Sequence, residues 1–402
     1  MTIAGYSIKR WYLLGLAVAT HAFAVAIPFS CMPVLFKEIS ADLGLSLVQI
    51  GTVWGMLGLA GVFVSLIGGV LGDRFGVKFL LGIACILGGL AGASRGLSTG
   101  FVGLSVTVFV FGIIRAIIPI NVHKAVSILF QGRNLGTANG IVAMGMGIGL
   151  MLGPMLSATV LSPLLGNWRN VLFLFGAVSM VAGMLWSLPW RMPQAGTDSP
   201  GHSGTVPFRE AISKLLRVKA LWLVGLILML RMGGITGMVG YLPLYLEERG
   251  WEIANADGTL AGFYAISTIC VIPLSLLSDR IGSRRTIMFI ALITAVFGVG
   301  LLPIVDGLAL WALVLAAGMF WDVFMAVTIT LVQETKEVGP KYSGTALGLA
   351  FTFSQLGSFI SPPLGNSLAN LNPGLPFLFW ASLSVMAIIP LFLLRIPDKK
   401  YN

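Results

Sequence analysis

The sequence predicts an all-α membrane protein with twelve transmembrane helices in two pseudo-symmetric six-helix bundles. Three observations predict this fold: an apolar composition, twelve apolar stretches of membrane-spanning length, and a repeat that relates the two halves of the chain. Of the 402 residues, 57% are hydrophobic and 10% are charged, and the mean hydropathy is +0.94. Soluble domains are nearer one half apolar and one quarter charged. Much of this protein's surface must therefore face lipid.

A helix that crosses a bilayer needs about 20 mostly apolar residues. Twelve stretches meet this requirement, and we number them helices 1 to 12: roughly 11–35, 46–71, 78–98, 101–123, 134–161, 169–189, 220–246, 258–278, 284–304, 307–332, 343–369 and 374–395. Lys9 and Arg10 precede the first stretch, as basic residues do in a signal peptide. The apolar stretch continues through Val34, however, which is too long for a signal-peptide core. We expect helix 1 to be retained.

The longest polar stretch separates helix 6 from helix 7 and divides the chain into two bundles. We expect an N-terminal six-helix bundle at 1–190, a cytoplasmic linker at 191–219 and a C-terminal six-helix bundle at 220–402. The first part of the linker is flexible by composition. Its second part, from Pro207 to Lys219, has an apolar face and a charged face, which is typical of a helix at a membrane surface.

The net charge of +10 reflects orientation rather than a nucleic-acid partner. Most of the 25 lysines and arginines fall on the side of the twelve-helix arrangement that carries both termini. Only Lys37, Arg95, Arg169 and Arg249 fall on the other side. Because basic residues favour the cytoplasmic side, we expect both termini in the cytoplasm, with the protein in a bacterial or archaeal cytoplasmic membrane. We expect a monomer in the lipid bilayer.

Neither a cofactor nor a catalytic centre is expected. The three cysteines, Cys31, Cys85 and Cys270, lie within predicted helices, at spacings that indicate neither disulfides nor a metal site. The helices contain no nucleophile-base or metal-ligand motif, and no phosphate-binding loop is present. These absences make a membrane-embedded enzyme a distant alternative.

Four pairs of segments repeat between the two halves, at a separation that drifts between 206 and 210 residues. A duplication explains this register better than chance. The pairs are Gly69–Lys78 with Ser275–Arg285, Gly136–Gly140 with Gly344–Gly348, Gly149 and Pro154 with Gly357 and Pro362, and Met32–Leu35 with Leu242–Tyr245.

The loop after helix 2 carries the pattern Gly-x-x-x-Asp-Arg-x-Gly-x-Lys, formed by Gly69, Asp73, Arg74, Gly76 and Lys78. This pattern resembles the signature loop of the major facilitator superfamily. The loop after helix 8, with Asp279, Arg280 and Arg284, resembles its degenerate copy, in which Ser275 replaces the first glycine.

Two further features carry the same resemblance. Arg115 in helix 4 resembles the arginine of that family's fourth-helix motif, and Gly149-x-x-x-Gly153-Pro154 resembles the fifth-helix motif of many exporters, although Ser157 and Ala158 replace its closing glycines. The resemblance implies two bundles that rock about a central cavity lined by helices 1, 4, 7 and 10. It also implies secondary active transport by alternating access.

The loop residues suit a conformational latch. Small residues let membrane helices approach closely, and Asp73 is placed to meet a basic residue or a helix N-terminus of the other bundle. We therefore interpret Gly69, Asp73, Arg74, Gly76, Lys78, Asp279, Arg280 and Arg284 as latch residues. A solvated turn that merely follows the charge rule is the alternative.

Four ionisable residues lie near the middle of the predicted helices, away from the loops and helix ends: His21, Arg115, Arg231 and Asp322. Such groups are costly in a bilayer and usually functional. The helix 1 to helix 7 offset of 210 takes position 21 to 231, and an offset of 207 takes position 115 to 322. The repeat therefore predicts that all four meet in one central site.

Two arginines, a histidine and one acid make this site net positive, which favours an anionic substrate, since an arginine fork binds a carboxylate bidentately. We expect Asp322 to pair with Arg115 or Arg231 and to carry the coupling proton when the substrate displaces it. His21 is the second candidate, because imidazole gains a proton near neutral pH. A structural arginine, a packed histidine and a structural ion pair remain alternatives.

Asn121, Tyr264, Gln355 and Trp321 are further candidates for the substrate site, and each is about as well explained by helix packing. The sequence thus favours a transporter of a small organic anion, coupled to protons or to exchange. A proton-driven drug exporter is the alternative that the helix 5 motif supports. Against it, the only acid within the predicted helices is Asp322, which lies in the C-terminal half.

Overall fold

The computed structural model describes residues 3–65, 76–130, 134–188, 208–281, 283–335 and 337–394, and they form helices and short connections without a strand. In the N-terminal half, helix 1 consists of Ile3–Ala19, the π-helical segment Thr20–Ala26 and Ile27–Leu43. Helices 2, 3 and 4 are Leu47–Val64, Val77–Ser94 and Phe101–Leu129. Helix 5 is Asn134–Leu165, with a π-helical segment at Ser157–Leu161, and helix 6 is Trp168–Ser187. A short helix, Phe208–Leu215, precedes helices 7 to 12: Lys219–Glu248, Ile253–Ile281, Arg284–Gly300, Gly307–Met319 continued by Trp321–Glu334, Gly339–Leu368 and Leu375–Leu393.

The helices are those of an integral membrane protein. Among the described residues, eleven of them are long and apolar enough to cross a bilayer. The remaining long helix, helix 11, has 30 residues and is richer in glycine, serine and threonine. Large apolar side chains such as Val102, Leu164 and Ile269 are 70%, 75% and 67% exposed. Lipid is the solvent that such a surface requires.

Proline accounts for the irregular part of helix 1. Pro28 has no N–H to donate and its ring crowds the carbonyl four residues earlier, so a regular α-helical turn is not available before it. The chain widens there into the π-helical segment Thr20–Ala26. A π-helical turn holds an extra residue, so the register of helix 1 changes within this segment.

The two bundles meet along two equivalent interfaces. Helices 2 and 4, 3 and 6, and 1 and 5 pack together in the first bundle, and helix 7 packs against helices 11 and 12 in the second. Between the bundles, helix 2 packs against helix 11 and helix 5 against helix 8. The sequence repeat relates helix 2 to helix 8 and helix 5 to helix 11, so the two interfaces are copies of one contact.

Helices 2 and 11 are in backbone contact. A methyl group at Gly55 would lie 2.5 Å from the carbonyl oxygen of Phe359, and one at Gly58 would lie 2.8 Å from that of Gln355. Asn366 of helix 11 donates a hydrogen bond from Nδ2 to the carbonyl oxygen of Leu47, at 2.8 Å. Only glycine allows helices to approach this closely.

Two polar contacts join the bundles at the end of the molecule where helices 1 and 7 finish, which we call the distal end. Lys37 Nζ lies 3.1 Å from Glu247 Oε2. Thr159 of helix 5 donates a hydrogen bond from Oγ1 to Asp257 Oδ2 of helix 8, at 3.1 Å. The bundles are therefore held together at the distal end.

The glycine contact predicts the effect of a single methyl group. Gly55→Ala should lower the midpoint of thermal unfolding in detergent, because overpacking at a close contact destabilises by about 1–3 kcal/mol. Gly15→Ala is the control, since Gly15 lies in helix 1 with open space around it and alanine is the better helix former. Equal midpoints for the two variants would show that helices 2 and 11 are not in close contact.

Candidate functional site

A cavity of about 220 Å³ lies between the two bundles. Helices 1, 2 and 4 form one wall, with Phe29, Trp54, Leu57, Gly58 and Arg115. Helices 7, 8, 10 and 11 form the other, whose polar and aromatic members include Thr236, Tyr264, Trp321, Ser354, Gln355 and Ser358. Four predicted site residues thus meet at one cavity: Arg115, Tyr264, Trp321 and Gln355.

Arg115 supplies the positive charge of the cavity. Its guanidinium carbon lies 4.4 Å from the centroid of the Phe29 ring, a cation–π contact between helices 4 and 1. Its Nε is buried and has no hydrogen-bond partner in the described part of the chain. The side chain is partly exposed to the cavity. Its charge is therefore available to a bound anion.

The three other predicted residues at the cavity are held by neighbouring side chains. Tyr264 and Trp321 both pack against Phe263, with ring centroids 5.4 and 6.0 Å apart. Gln355 lies against Gly61 of helix 2, across the interface between the bundles. These contacts fix the second wall of the cavity.

His21 and Asn121 lie away from the cavity lining. His21 is 2% exposed, and its ring meets that of His123 edge-on, with centroids 5.2 Å apart. Asn121 is fully buried and donates from Nδ2 to the carbonyl oxygen of Ile117 in its own helix, at 2.8 Å. Both side chains pack within the N-terminal bundle.

The repeat predicted that positions 21 and 231 are equivalent, and neither residue lines the cavity. The offset of 210 was set by the Met32–Leu35 motif, which follows the π-helical segment, whereas His21 lies within it. Both side chains are buried, His21 in the N-terminal bundle and Arg231 in the C-terminal bundle.

Arg231 is enclosed in the C-terminal bundle. It is fully buried, and its guanidinium carbon lies 5.5 Å from the centroid of the Phe324 ring. None of its three guanidinium nitrogens has a hydrogen-bond partner within the described ranges. The next residue, Met232, lines the cavity. Arg231 is thus adjacent to the cavity wall without forming part of it.

Asp322 is stabilised without an arginine. Ser267 of helix 8 donates from Oγ to Asp322 Oδ2 at 2.7 Å, and the Asp322 N–H donates back to that Oγ at 3.1 Å. Helix 10 is interrupted at Phe320, so Asp322 lies in the first turn of Trp321–Glu334, where a helix N-terminus favours a carboxylate. The ion pair expected with Arg115 or Arg231 is not formed between these described side chains.

The residues interpreted as a latch are only partly described. Gly69, Asp73 and Arg74 lie outside the described residues. Gly76 has a φ of +80°, which favours glycine, and Lys78 lies in the first turn of helix 3. The backbone of Asp279 and Arg280 ends helix 8. Arg284 Nη2 lies 3.4 Å from Glu334 Oε1, within the C-terminal bundle. The latch role stays a prediction.

Among the described residues, three buried charges were not singled out from the sequence: Asp257, Arg95 and Glu247, which pairs with Lys37. Helix 8 begins at Ile253, about five residues before its predicted start, and so takes in Asp257, which is fully buried. Its Oδ1 has no hydrogen-bond partner among the residues described. Asp322 is therefore not the only acid within the helices. The sequence signal was the glycine at position 250. It follows helix 7 with a φ of +85°, so it marks the end of that helix and leaves only a short connection before helix 8.

Arg95 was expected on the surface of the distal side, but it is fully buried. Its Nη1 donates to the carbonyl oxygen of Pro28 at 2.9 Å, and its Nε donates to that of Gly92 at 3.0 Å. Its guanidinium carbon lies 4.0 Å from the centroid of the Phe111 ring. Arg95 thus ties the end of helix 3 to the irregular part of helix 1.

Known proteins that are similar to this chain include transporters of one family. The family model described as Major Facilitator Superfamily matches residues 14–362 and 260–402. The cis,cis-muconate transport protein of Acinetobacter baylyi is 23% identical over 96% of this chain and 97% of its own length. The 3-(3-hydroxy-phenyl)propionate transporter of Escherichia coli is 23% identical over 84% and 81%. Among solved structures, a mutant of the nucleoside transporter NupG has a TM-score of 0.82 at 14% identity, over 95% of this chain and 99% of that chain.

The contact between Asp257 and Thr159 predicts a difference between two substitutions. Asp257→Ala removes the acceptor and leaves the half-buried Thr159 hydroxyl unpaired, which costs about 1–3 kcal/mol, so the midpoint of thermal unfolding should fall. Asp257→Asn keeps a carbonyl acceptor and nearly the same volume, and should unfold at or above the wild-type temperature. An asparagine variant as unstable as the alanine variant would show that the charge itself stabilises the fold.

Proposed function

The chain belongs to the major facilitator superfamily, and we propose that it is a secondary active transporter that moves a small organic anion across the membrane by alternating access. Its curated relatives bear the names of transporters rather than enzymes. The observation that carries the anion proposal is Arg115. Its guanidinium lies at a cavity between the bundles, packs against the Phe29 ring and has no carboxylate partner among the residues that the structure describes.

The charge of the cavity lining supports an anion over a cation. The described residues that line it include Arg115 and no aspartate or glutamate. A guanidinium binds a carboxylate through two parallel hydrogen bonds, which makes it suited to organic acids. The relatives named for muconate and for hydroxyphenylpropionate are transporters of such acids.

The drug-exporter alternative has less support. A cationic drug would lie against Arg115 with no acidic side chain in the described lining to bind it. The helix 5 glycines that suggested an exporter pack against helix 1, where methyl groups at Gly149 and Gly153 would meet Ala22 and Ser30. This packing accounts for the motif without reference to a drug.

Proton coupling belongs to this proposal through Asp322. Its carboxylate is partly buried, follows the cavity-lining Trp321 directly, and has a serine rather than an arginine as its partner. An anion bound at Arg115 raises the negative potential nearby and so favours a proton on Asp322. His21 is the second candidate, placed against His123. Arg231 and Asn121 remain candidates for substrate contact in a conformation that opens their packing.

We propose that the protein is a monomer in a bacterial or archaeal cytoplasmic membrane, with both termini inside. The excess of basic residues on the side that carries the termini supports this orientation. The loop after helix 2 and its copy after helix 8 act as latches between conformations.

The anion proposal is tested at Arg115. Arg115→Gln should reduce uptake of organic acids into proteoliposomes at least tenfold, because a bidentate charged contact is lost. Arg169→Gln is the control: Arg169 Nη2 pairs with Asp42 Oδ2 at 2.7 Å near the distal end, away from the cavity lining. An unchanged KM for Arg115→Gln would exclude this residue from substrate binding.

The coupling proposal is tested at Asp322. Asp322→Asn should abolish uptake driven by a pH gradient while exchange of internal for external substrate continues, since exchange needs no net proton movement. Asp306→Asn, in the distal ion pair with Arg249, provides the matched control. Equal loss of driven uptake and exchange would indicate that Asp322 is structural.

A further inference from the structure

The walls of the cavity contain aromatic and hydroxyl side chains in addition to the cation that an organic anion requires. Resting on the proposed transport function, we propose that the substrate is an aromatic monocarboxylate with a hydroxyl group on its ring. The carboxylate binds Arg115, the ring lies among the aromatic side chains of the two walls, and the hydroxyl binds the Thr236–Ser358 pair.

The number of cations in the cavity sets the number of carboxylates. Within the described ranges, Arg115 is the only basic residue of the lining. The two other nearby arginines, Arg95 and Arg231, are fully buried behind the walls. Arg95 is moreover committed to the carbonyl oxygens of Pro28 and Gly92. A second carboxylate would lose its hydration without gaining a cation, which is strongly unfavourable.

The apolar part of the lining favours a flat ring. Phe29 and Trp54 lie in one wall, with ring centroids 5.0 Å apart, and Trp321 and Tyr264 lie in the other. Trp54 is fixed in place because its Nε1 donates to the carbonyl oxygen of Thr236 at 2.8 Å. Aromatic rings gain a specific attraction from each other beyond the burial of area. Rigid aromatic walls therefore discriminate an aromatic ring from an aliphatic one of equal size.

The polar part of the second wall provides a partner for a hydroxyl group. Thr236 Oγ1 and Ser358 Oγ lie 3.1 Å apart and share one hydrogen bond. Two hydroxyl groups carry two hydrogens, so this pair keeps one donor and several lone pairs for a ligand. The pair belongs to the C-terminal bundle and Arg115 to the N-terminal bundle. A substrate that joins them contacts both bundles at once.

The cavity has room for a substrate with one ring. Its volume is about 220 Å³, and a single ring with a carboxylate and a hydroxyl fits this space. Met232 and Met325 in the lining can adjust to the position of the substituent.

The test compares dissociation constants of matched acids for the purified full-length protein, measured by calorimetry. The ligands are 3- and 4-hydroxybenzoate, benzoate, cyclohexanecarboxylate and terephthalate. We expect the better hydroxybenzoate to bind about tenfold more tightly than benzoate, as one added hydrogen bond allows. Benzoate should bind several-fold more tightly than cyclohexanecarboxylate, and terephthalate at least tenfold more weakly than the hydroxybenzoate.

Two variants separate the roles of the walls. Ser358→Ala should bring the ratio of the benzoate and hydroxybenzoate dissociation constants close to one, because the hydroxyl group loses its partner. This ratio is measured within one variant, so loss of folded protein cannot produce it. Thr236→Val repeats this test if the alanine variant does not fold. Equal binding of benzoate and cyclohexanecarboxylate, or tighter binding of terephthalate, would overturn the aromatic monocarboxylate and leave an organic anion as substrate. Binding of lipophilic cations with no response to any acid would overturn the organic-anion proposal itself and favour the drug exporter.

Discussion

The backbone contact between helices 2 and 11 is the constraint on which the rest of the structure depends. Helix 2 presents glycines to helix 11, and the contact of Gly55 and Gly58 with the carbonyl oxygens of helix 11 sets how far apart the bundles lie. The cavity is the space that this spacing leaves between them. Trp54 lies in helix 2 between these glycines and Gly51, and its bond to Thr236 extends the contact to helix 7. The same contact therefore determines both the packing of the bundles and the shape of the cavity.

Three charges at or near the cavity are stabilised by means other than opposite charges. Arg115 lies against an aromatic ring, Arg95 donates to backbone carbonyls, and Asp322 accepts from a serine at a helix N-terminus. Each arrangement lowers the cost of burial without neutralising the charge. A direct ion pair would neutralise it and leave little for a ligand to bind. The positive potential of the cavity follows from this choice of partners.

The sequence predicted the fold well because the bilayer fixes the length of its helices. The twelve apolar stretches follow from that constraint. The division of the chain into two halves, and the motifs shared with a known family, follow from the repeat. Arg115, Tyr264, Trp321 and Gln355 were predicted and line one cavity. The repeat placed His21 with them, but its ring packs against His123 within the N-terminal bundle. Asp257 was placed just before helix 8, and Arg95 was counted with the charges of the distal side, because helix ends are poorly marked in the sequence when short loops contain the same small apolar residues as the helices.

The contact of Arg115 with Phe29 also bears on how a bound molecule leaves. A guanidinium without a neighbouring partner would bind an incoming anion strongly, because no other contact would compete with the anion. In the proposed transport cycle, an anion that binds Arg115 would replace the cation–π contact with Phe29, and this contact would form again when the anion leaves. The net free energy of binding would then be the difference between the two contacts. A transporter must release its substrate in every cycle. Competition from the Phe29 ring would limit the affinity of Arg115 for the proposed substrate and so allow release.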